Sequence, residues 1–178
     1  MNTIMPERLV FGSGGSRIMF GVLKNYGYQR DLATGERYLG AFIVPDFQRP
    51  IVWTVGQKQR LIESIYMGLP IGSLIVNDCL HHPTDQWLLD GQQRLTAICE
   101  WADGTLAVRG QRYPELPEVE RQMFRRMTVP VIETSLTTRE ACLDVYNRLV
   151  YGGTPHTEYQ RATTSDGLTD SITKGETP

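Results

Sequence analysis

The chain has 178 residues, 40% of them apolar and 21% charged, with 18 Lys and Arg against 20 Asp and Glu for a net charge of −2. That balance excludes wholesale disorder, a fibrous repeat and a strongly basic nucleic-acid binder, while a local basic groove stays open. Cys79, Cys99 and Cys142 are scattered, with no CxxC pair. They exclude a disulfide scaffold and a zinc ribbon and fit a reducing, cytoplasmic setting.

Residues 1–37 are weakly patterned and read as an N-terminal extension. The run Gly12-Ser13-Gly14-Gly15-Ser16-Arg17 reads as a flexible loop. It lacks the Gly-Lys-Ser/Thr ending of a phosphate-binding P-loop. Ile18 to Leu23 suggests a short strand. Lys24 to Gly40 is polar, and Gly27 and Gly35 break any periodicity. No apolar stretch approaches the roughly 18 residues of a membrane span, and the first residues lack a secretory leader's apolar core.

The patterned region, residues 38–160, reads as one domain. Ala41 to Val44 predicts a strand ending at Pro45. Thr54 with Gln57 predicts a capping box opening a helix with Leu61, Ile62, Ile65 and Tyr66 at helical spacing. Gly68 and Pro70 stop it. Ser73 to Val76 predicts a buried strand, Asn77 to Asp85 a polar loop, and Gln86 to Leu89 another strand. Gln92 to Trp101 predicts a helix with Leu95, Ile98 and Cys99 turned inward. Thr105 to Val108 and Thr128 to Ile132 predict strands around a helix over 117–126. Thr137 with Glu140 predicts a second capping box and a helix ended by Gly152-Gly153. Residues 161–178 read as a disordered tail. The fold class is therefore α+β, a short mixed sheet with flanking helices.

Three constellations carry polar chemistry. Asp90-Gly91-Gln92-Gln93-Arg94 occupies a strand-to-helix turn. Unsatisfied N–H groups and the helix dipole favour a phosphate there, Gly91 allows close approach, and Arg94 can fork onto phosphate oxygens. Asp90 can hold a Mg²⁺ or orient a water. The alternative is an ordinary N-cap with an ion-paired arginine. Asp46-Phe47-Gln48-Arg49-Pro50 places Arg49 in a loop between two prolines, with Trp53 nearby. Tyr146-Asn147-Arg148-Leu149 precedes Gly152-Gly153-Thr154-Pro155. Cys79, His81 and His82 read as a surface loop and not a metal cluster. Arg121, Arg125 and Arg126 read as a solvated face, or as a contact for a nucleic-acid backbone.

Taken in order, Pro45-Asp46-Phe47-Gln48-Arg49-Pro50, Leu89-Asp90-Gly91-Gln92-Gln93-Arg94 and Tyr146-Asn147-Arg148 to Gly152-Gly153-Thr154-Pro155 resemble the DGQQR family. This is the N-terminal domain of GmrSD-type, modification-dependent restriction enzymes, similar in turn to the ParB/sulfiredoxin fold. The resemblance implies an NTP-binding and NTP-hydrolysing domain that uses Mg²⁺ and acts in phage–host conflict or DNA restriction and modification. It implies catalytic roles for Asp90 and Arg94, nucleotide contacts from Gly91, Gln92, Gln93, Gln48, Arg49, Asn147 and Arg148, and Asp90 as the Mg²⁺ ligand. Gly91 and Arg94 should then share a cleft with Gln48 and Arg49. Loss of the Asp90 or Arg94 side chain should abolish turnover with little effect on folding.

Full enzymes of this type carry a C-terminal HNH nuclease domain. Here the three histidines fall in no HNH-like pattern. Cutting of DNA is thus expected from this domain itself or from a separate nuclease subunit. Two other readings stay open: a ParB-like DNase or phosphotransferase acting on DNA through the same pocket, and a non-catalytic nucleotide switch or interaction module.

Overall fold

The computed structural model describes residues 15–23 and 27–151. Its elements in chain order are β1 (Gly15–Ile18), α1 (Met19–Val22), β2 (Tyr28–Arg30), β3 (Arg37–Leu39), β4 (Phe42–Ile43) and α2 (Val55–Tyr66). They continue with β5 (Leu74–Asn77), β6 (Trp87–Asp90), α3 (Gln92–Ala102), β7 (Ala107–Val108), β8 (Gln111–Arg112), α4 (Glu118–Arg126), β9 (Thr128–Thr134) and α5 (Arg139–Tyr151). The class is α+β. Seven of these strands form one mixed sheet in the order β1-β9-β5-β6-β4-β3-β2, and β7 and β8 make a separate hairpin. β6 is the central strand, parallel to β4 and antiparallel to β5.

Side chains alternate across a strand, so neighbours in β6 face opposite layers. Leu88 joins the main core with Ile62, Leu95 and Ile98 of α2 and α3. Leu89 joins a smaller cluster with Cys142, Ala141 and Val145 of α5. The sheet is thereby covered on both faces where β6 runs, and the end of β6 opens between the two helical layers.

The local signals for α2 hold in detail. Thr54 Oγ1 accepts from Gln57 N–H at 3.3 Å, and Gln57 Oε1 accepts from Thr54 N–H at 2.8 Å. Gly68 follows the helix with φ +71°.

Other expectations need correction. Gly15 to Arg17 are not loop; they pair antiparallel with β9, from Gly15 opposite Val131 to Ile18 opposite Thr128. Residues 19–22 are helix and not strand. Met19 and Val22 are fully buried, and Met19 N–H donates to Met127 O at 2.7 Å, which turns the chain onto α4. The polar stretch from Lys24 to Gly40 contains β2 and β3, whose residues belong to the sheet. Asn77 is not loop. It ends β5, fully buried. Its amide nitrogen donates to Thr84 O, Thr84 Oγ1 and Leu136 O, and its Oδ1 accepts from Thr134 Oγ1 and Leu136 N. The cap of α5 is Thr138, one residue later than Thr137. Thr138 Oγ1 accepts from Ala141 N–H at 3.2 Å.

No described helix is long and apolar enough to cross a membrane. The expected helix stop at Gly152-Gly153, the Thr154-Pro155 segment and the polar tail lie outside the described residues.

Candidate functional site

The turn from β6 into α3 is built around Gly91. Its φ is +100°, a left-handed value that favours glycine. A Cβ there would run into the buried Leu74 Cδ2 and lie 3.3 Å from Arg94 Nη2. The first helical bond is Leu95 N–H to Gly91 O at 2.9 Å. The N–H groups just before it have no intrahelical acceptor, and they sit at the positive end of the helix.

Arg94 fastens this turn. Nη2 donates to Asp90 Oδ2 at 2.7 Å and to Ser73 O at 2.9 Å, and Nη1 donates to Ile71 O at 3.1 Å. Gly72, with φ +76°, leaves room for the guanidinium, and a Cβ there would collide with Nη1. Three of the five N–H bonds of Arg94 are therefore directed at the protein.

The Pro45–Pro50 loop is held against the same turn. Gln48 Nε2 donates to Leu88 O and Leu89 O at 2.7 and 3.1 Å. Gln93 Nε2 donates to Pro50 O, and its Oε1 accepts from Val52 N–H and Trp53 N–H. Phe47 packs edge-on to Trp87 at 5.8 Å and tilted on Tyr146 at 5.2 Å. Asp46 pairs with Arg139 at 2.7 Å, which holds the carboxyl of Asp46 below its ordinary range. The backbone N–H of Arg49 donates to Tyr146 Oη at 3.2 Å.

These contacts enclose a cavity of about 350 Å³, within the range of small-molecule sites. Its lining includes Asp90, Gly91, Gln92, Gln93, Arg94, Gln48 and Arg49, so the three sequence segments expected to meet do so in part. Asn147 and Arg148 are outside the lining. Both are exposed, and Arg148 Nε pairs with Asp144 Oδ2 at 2.9 Å. Helical geometry is the reason: Tyr146 and Val150, four apart, share the face turned to the cavity.

Trp53, Leu61 and Ile71 complete the wall. Trp53 was noted beside the Pro45–Pro50 loop, whereas Leu61 and Ile71 are candidates by no motif. Only the packing of α2 beside the β6 turn reveals those two.

Charge in the cavity is uneven. Asp90 and Arg94 neutralise each other. Arg49 is exposed, and its guanidinium has no acceptor among the described residues. The site is left with one uncompensated cation beside a helix N-terminus, a setting for an anion. Gln92 adds a buried polar group: Nε2 donates to Tyr28 Oη at 2.6 Å, while Oε1 has no partner.

Asp90 is the carboxylate in the lining, and only its Oδ2 is hydrogen-bonded. Among the described residues no three His, Cys, Asp or Glu side chains group as a metal cage. That donor set fits a Mg²⁺ held through one carboxylate and the ligand's own phosphates.

The family model for the GmrSD restriction endonuclease N-terminal domain matches residues 29–170. No curated protein and no solved structure matches the chain.

Proposed function

The chain belongs to the family of GmrSD restriction endonuclease N-terminal domains, and from that premise we propose that its cavity binds a nucleoside triphosphate with Mg²⁺ and hydrolyses it for a restriction system. One observation carries this reading. Seven residues drawn from the sequence, Asp90, Gly91, Arg94 and Arg49 on chemical grounds and Gln48, Gln92 and Gln93 by resemblance, line a single cavity, with the start of α3 as its floor and Arg49, unpaired among the described residues, at its side.

The phosphate chain rests on the free N–H groups of the first turn of α3, where Gly91 allows close approach. Arg49 balances charge on the γ-phosphoryl group as it transfers. Asp90, whose Oδ1 is left open by Arg94, would orient the attacking water or hold a Mg²⁺. Bound Mg²⁺ supplies charge neutralisation across the phosphates. Arg94 acts as a positioning residue: it fixes Asp90 and the 71–73 loop, and its remaining N–H groups stay available to a phosphate oxygen. Water adds to the γ-phosphorus, the bond to the bridging oxygen breaks, and diphosphate nucleotide and inorganic phosphate leave, with one proton of the water released to solvent.

The matched domain is the N-terminal part of a restriction endonuclease. That supports a nuclease residing elsewhere, on a partner subunit or a further domain, with nucleotide turnover here as its control.

The test is phosphate release from each of the four NTPs with Mg²⁺, with and without plasmid DNA, for wild type and Asp90→Ala. The same samples are resolved on a gel. Release that vanishes in the variant is the expected result. Nicked plasmid with no phosphate release would move the chemistry to a DNA phosphodiester. Equal release by both proteins would remove Asp90 from the site.

A further inference from the structure

The proposed phosphate end of the cavity is polar, but one wall is not. Trp53, Leu61 and Ile71 form it. Leu61 belongs to the main core, and Trp53 and Ile71 pack against that core. None of the three offers a charged or amide group to a ligand.

Trp53 differs from the other two tryptophans of the chain. Trp87 has Phe47 against it at 5.8 Å. Trp101 is nearly fully buried, with Tyr66 at 6.3 Å and Tyr113 at 5.9 Å. Trp53 has no ring neighbour among the described residues, is only half-buried, and lines the cavity.

Its backbone is also held. Trp53 N–H donates to Gln93 Oε1 at 3.1 Å, next to the first turn of α3. The following residue, Thr54, caps α2. An indole fixed at its base, with its ring in a cavity and no aromatic partner, loses little freedom when a flat group lies against it.

Resting on the nucleotide reading above, we infer that Trp53 is the stacking platform for the base of the bound nucleotide, with Leu61 and Ile71 as the apolar floor beneath it. The phosphates then lie toward Gly91 and Arg49, and the base lies toward α2. Recognition of the base runs through its π-face, which every base has, and not through hydrogen bonds to its edge.

The experiment compares two ligands on the full-length chain by calorimetry with Mg²⁺. One is the β,γ-methylene analogue of whichever NTP binds wild type most tightly. The other is inorganic tripolyphosphate, which has the phosphates and no base. Wild type is expected to bind the analogue more tightly. Trp53→Leu is expected to weaken the analogue about tenfold, the scale of one base–aromatic stack, and to leave tripolyphosphate unchanged. Trp53→Phe, which keeps a ring, is expected to retain most of the affinity. Unchanged tripolyphosphate binding also reports that the variant is folded.

Three results overturn the assignment. Trp53→Leu could bind the analogue as wild type does. It could lose both ligands together, which marks a structural role. Wild type could bind the two ligands equally, so that the base adds nothing while the phosphate reading stands. If wild type binds neither ligand, the nucleotide reading itself falls, and this one falls with it.

Discussion

Arg94 Nη2 lies 2.7 Å from Asp90 Oδ2, and the same guanidinium holds the carbonyl oxygens of Ile71 and Ser73. The two residues are therefore unequal, although the motif invites treating them alike. The Asp90 side chain is 42% exposed and that of Arg94 only 18%. Removing Asp90 loses one half-exposed partner of the ion pair, while Arg94 keeps its two backbone acceptors, at about 1–2 kcal/mol. Removing Arg94 leaves two backbone carbonyls without their donor, at about 2–4 kcal/mol. Asp90→Ala should unfold in urea nearer to wild type and lack turnover. Arg94→Ala should unfold at a clearly lower midpoint. Equal midpoints for the two variants would show that Arg94 does not fasten the 71–73 loop.

Gly91→Ala should be costlier than an ordinary surface change. The position has φ +100°, and the new methyl meets Leu74, itself 1% exposed and unable to yield. Left-handed strain and overpacking together give about 2–4 kcal/mol. Thermal unfolding is the measurement. A variant as stable as wild type would mean that the β6–α3 turn relaxes freely, and that the close approach at Gly91 is not a rigid feature.

Where a signal was local, the sequence was sufficient. The Thr54–Gln57 box and the helix start after Gly91 each depend on residues within one turn of each other. Where the determinant was distant, it was not. Gly15 pairs with Val131, a partnership that no short window contains. Asn77 reads as the start of a polar loop because its five hydrogen bonds go to Thr84, Thr134 and Leu136. The site divides in the same way. Asp90 to Arg94 and Gln48-Arg49 were legible as polar groups at turns. Trp53 was legible as a neighbour of that loop, but Leu61 and Ile71 were not, because their place on the wall follows from how α2 and its flanking loops dock beside β6. Asn147 and Arg148 were chosen from the right helix but on its outer face, since the direction of an amphipathic helix is decided by the core that it covers.

The buried thiols set a pH limit on stability. Burial pushes the Cys99 thiol up to about 12, with the charges of Asp103 and Glu100 adding to it, and pushes Cys142 up to about 11. In the unfolded chain both ionise near 9.0. The unfolded state thus loses protons first, and stability falls as pH rises from about 9 toward 12. Each thiol contributes a slope of at most about 1.4 kcal/mol per pH unit in that window. Cys99→Ala loses packing at every pH but removes one of these slopes. Its deficit against wild type, measured by urea unfolding, should therefore narrow above pH about 9. A deficit that stays constant up to pH about 11 would show that the Cys99 thiol is not held neutral by the fold. Native-state alkylation near neutral pH should correspondingly favour Cys79, which is only half-buried, over the other two.

Arg49 separates function from folding most cleanly. Its backbone N–H is tied to Tyr146 Oη, but its guanidinium touches no described acceptor. Arg49→Ala keeps that backbone bond and exposes nothing, so unfolding should move by no more than about 0.5 kcal/mol. If the cation balances charge on the transferring phosphoryl group, turnover should drop by about a hundredfold or more. Arg49→Lys should recover part of it, because a lysine restores the charge but not the two-pronged geometry. Tyr146→Phe offers the complementary case. It loosens the loop that carries Arg49 while leaving the charge in place, so it should weaken turnover less than Arg49→Ala. Steady-state phosphate release for the three variants, read beside their unfolding midpoints, checks the set. Full activity in Arg49→Ala would move the charge-balancing role to the remaining N–H groups of Arg94, and the cavity would then work through the β6–α3 turn alone.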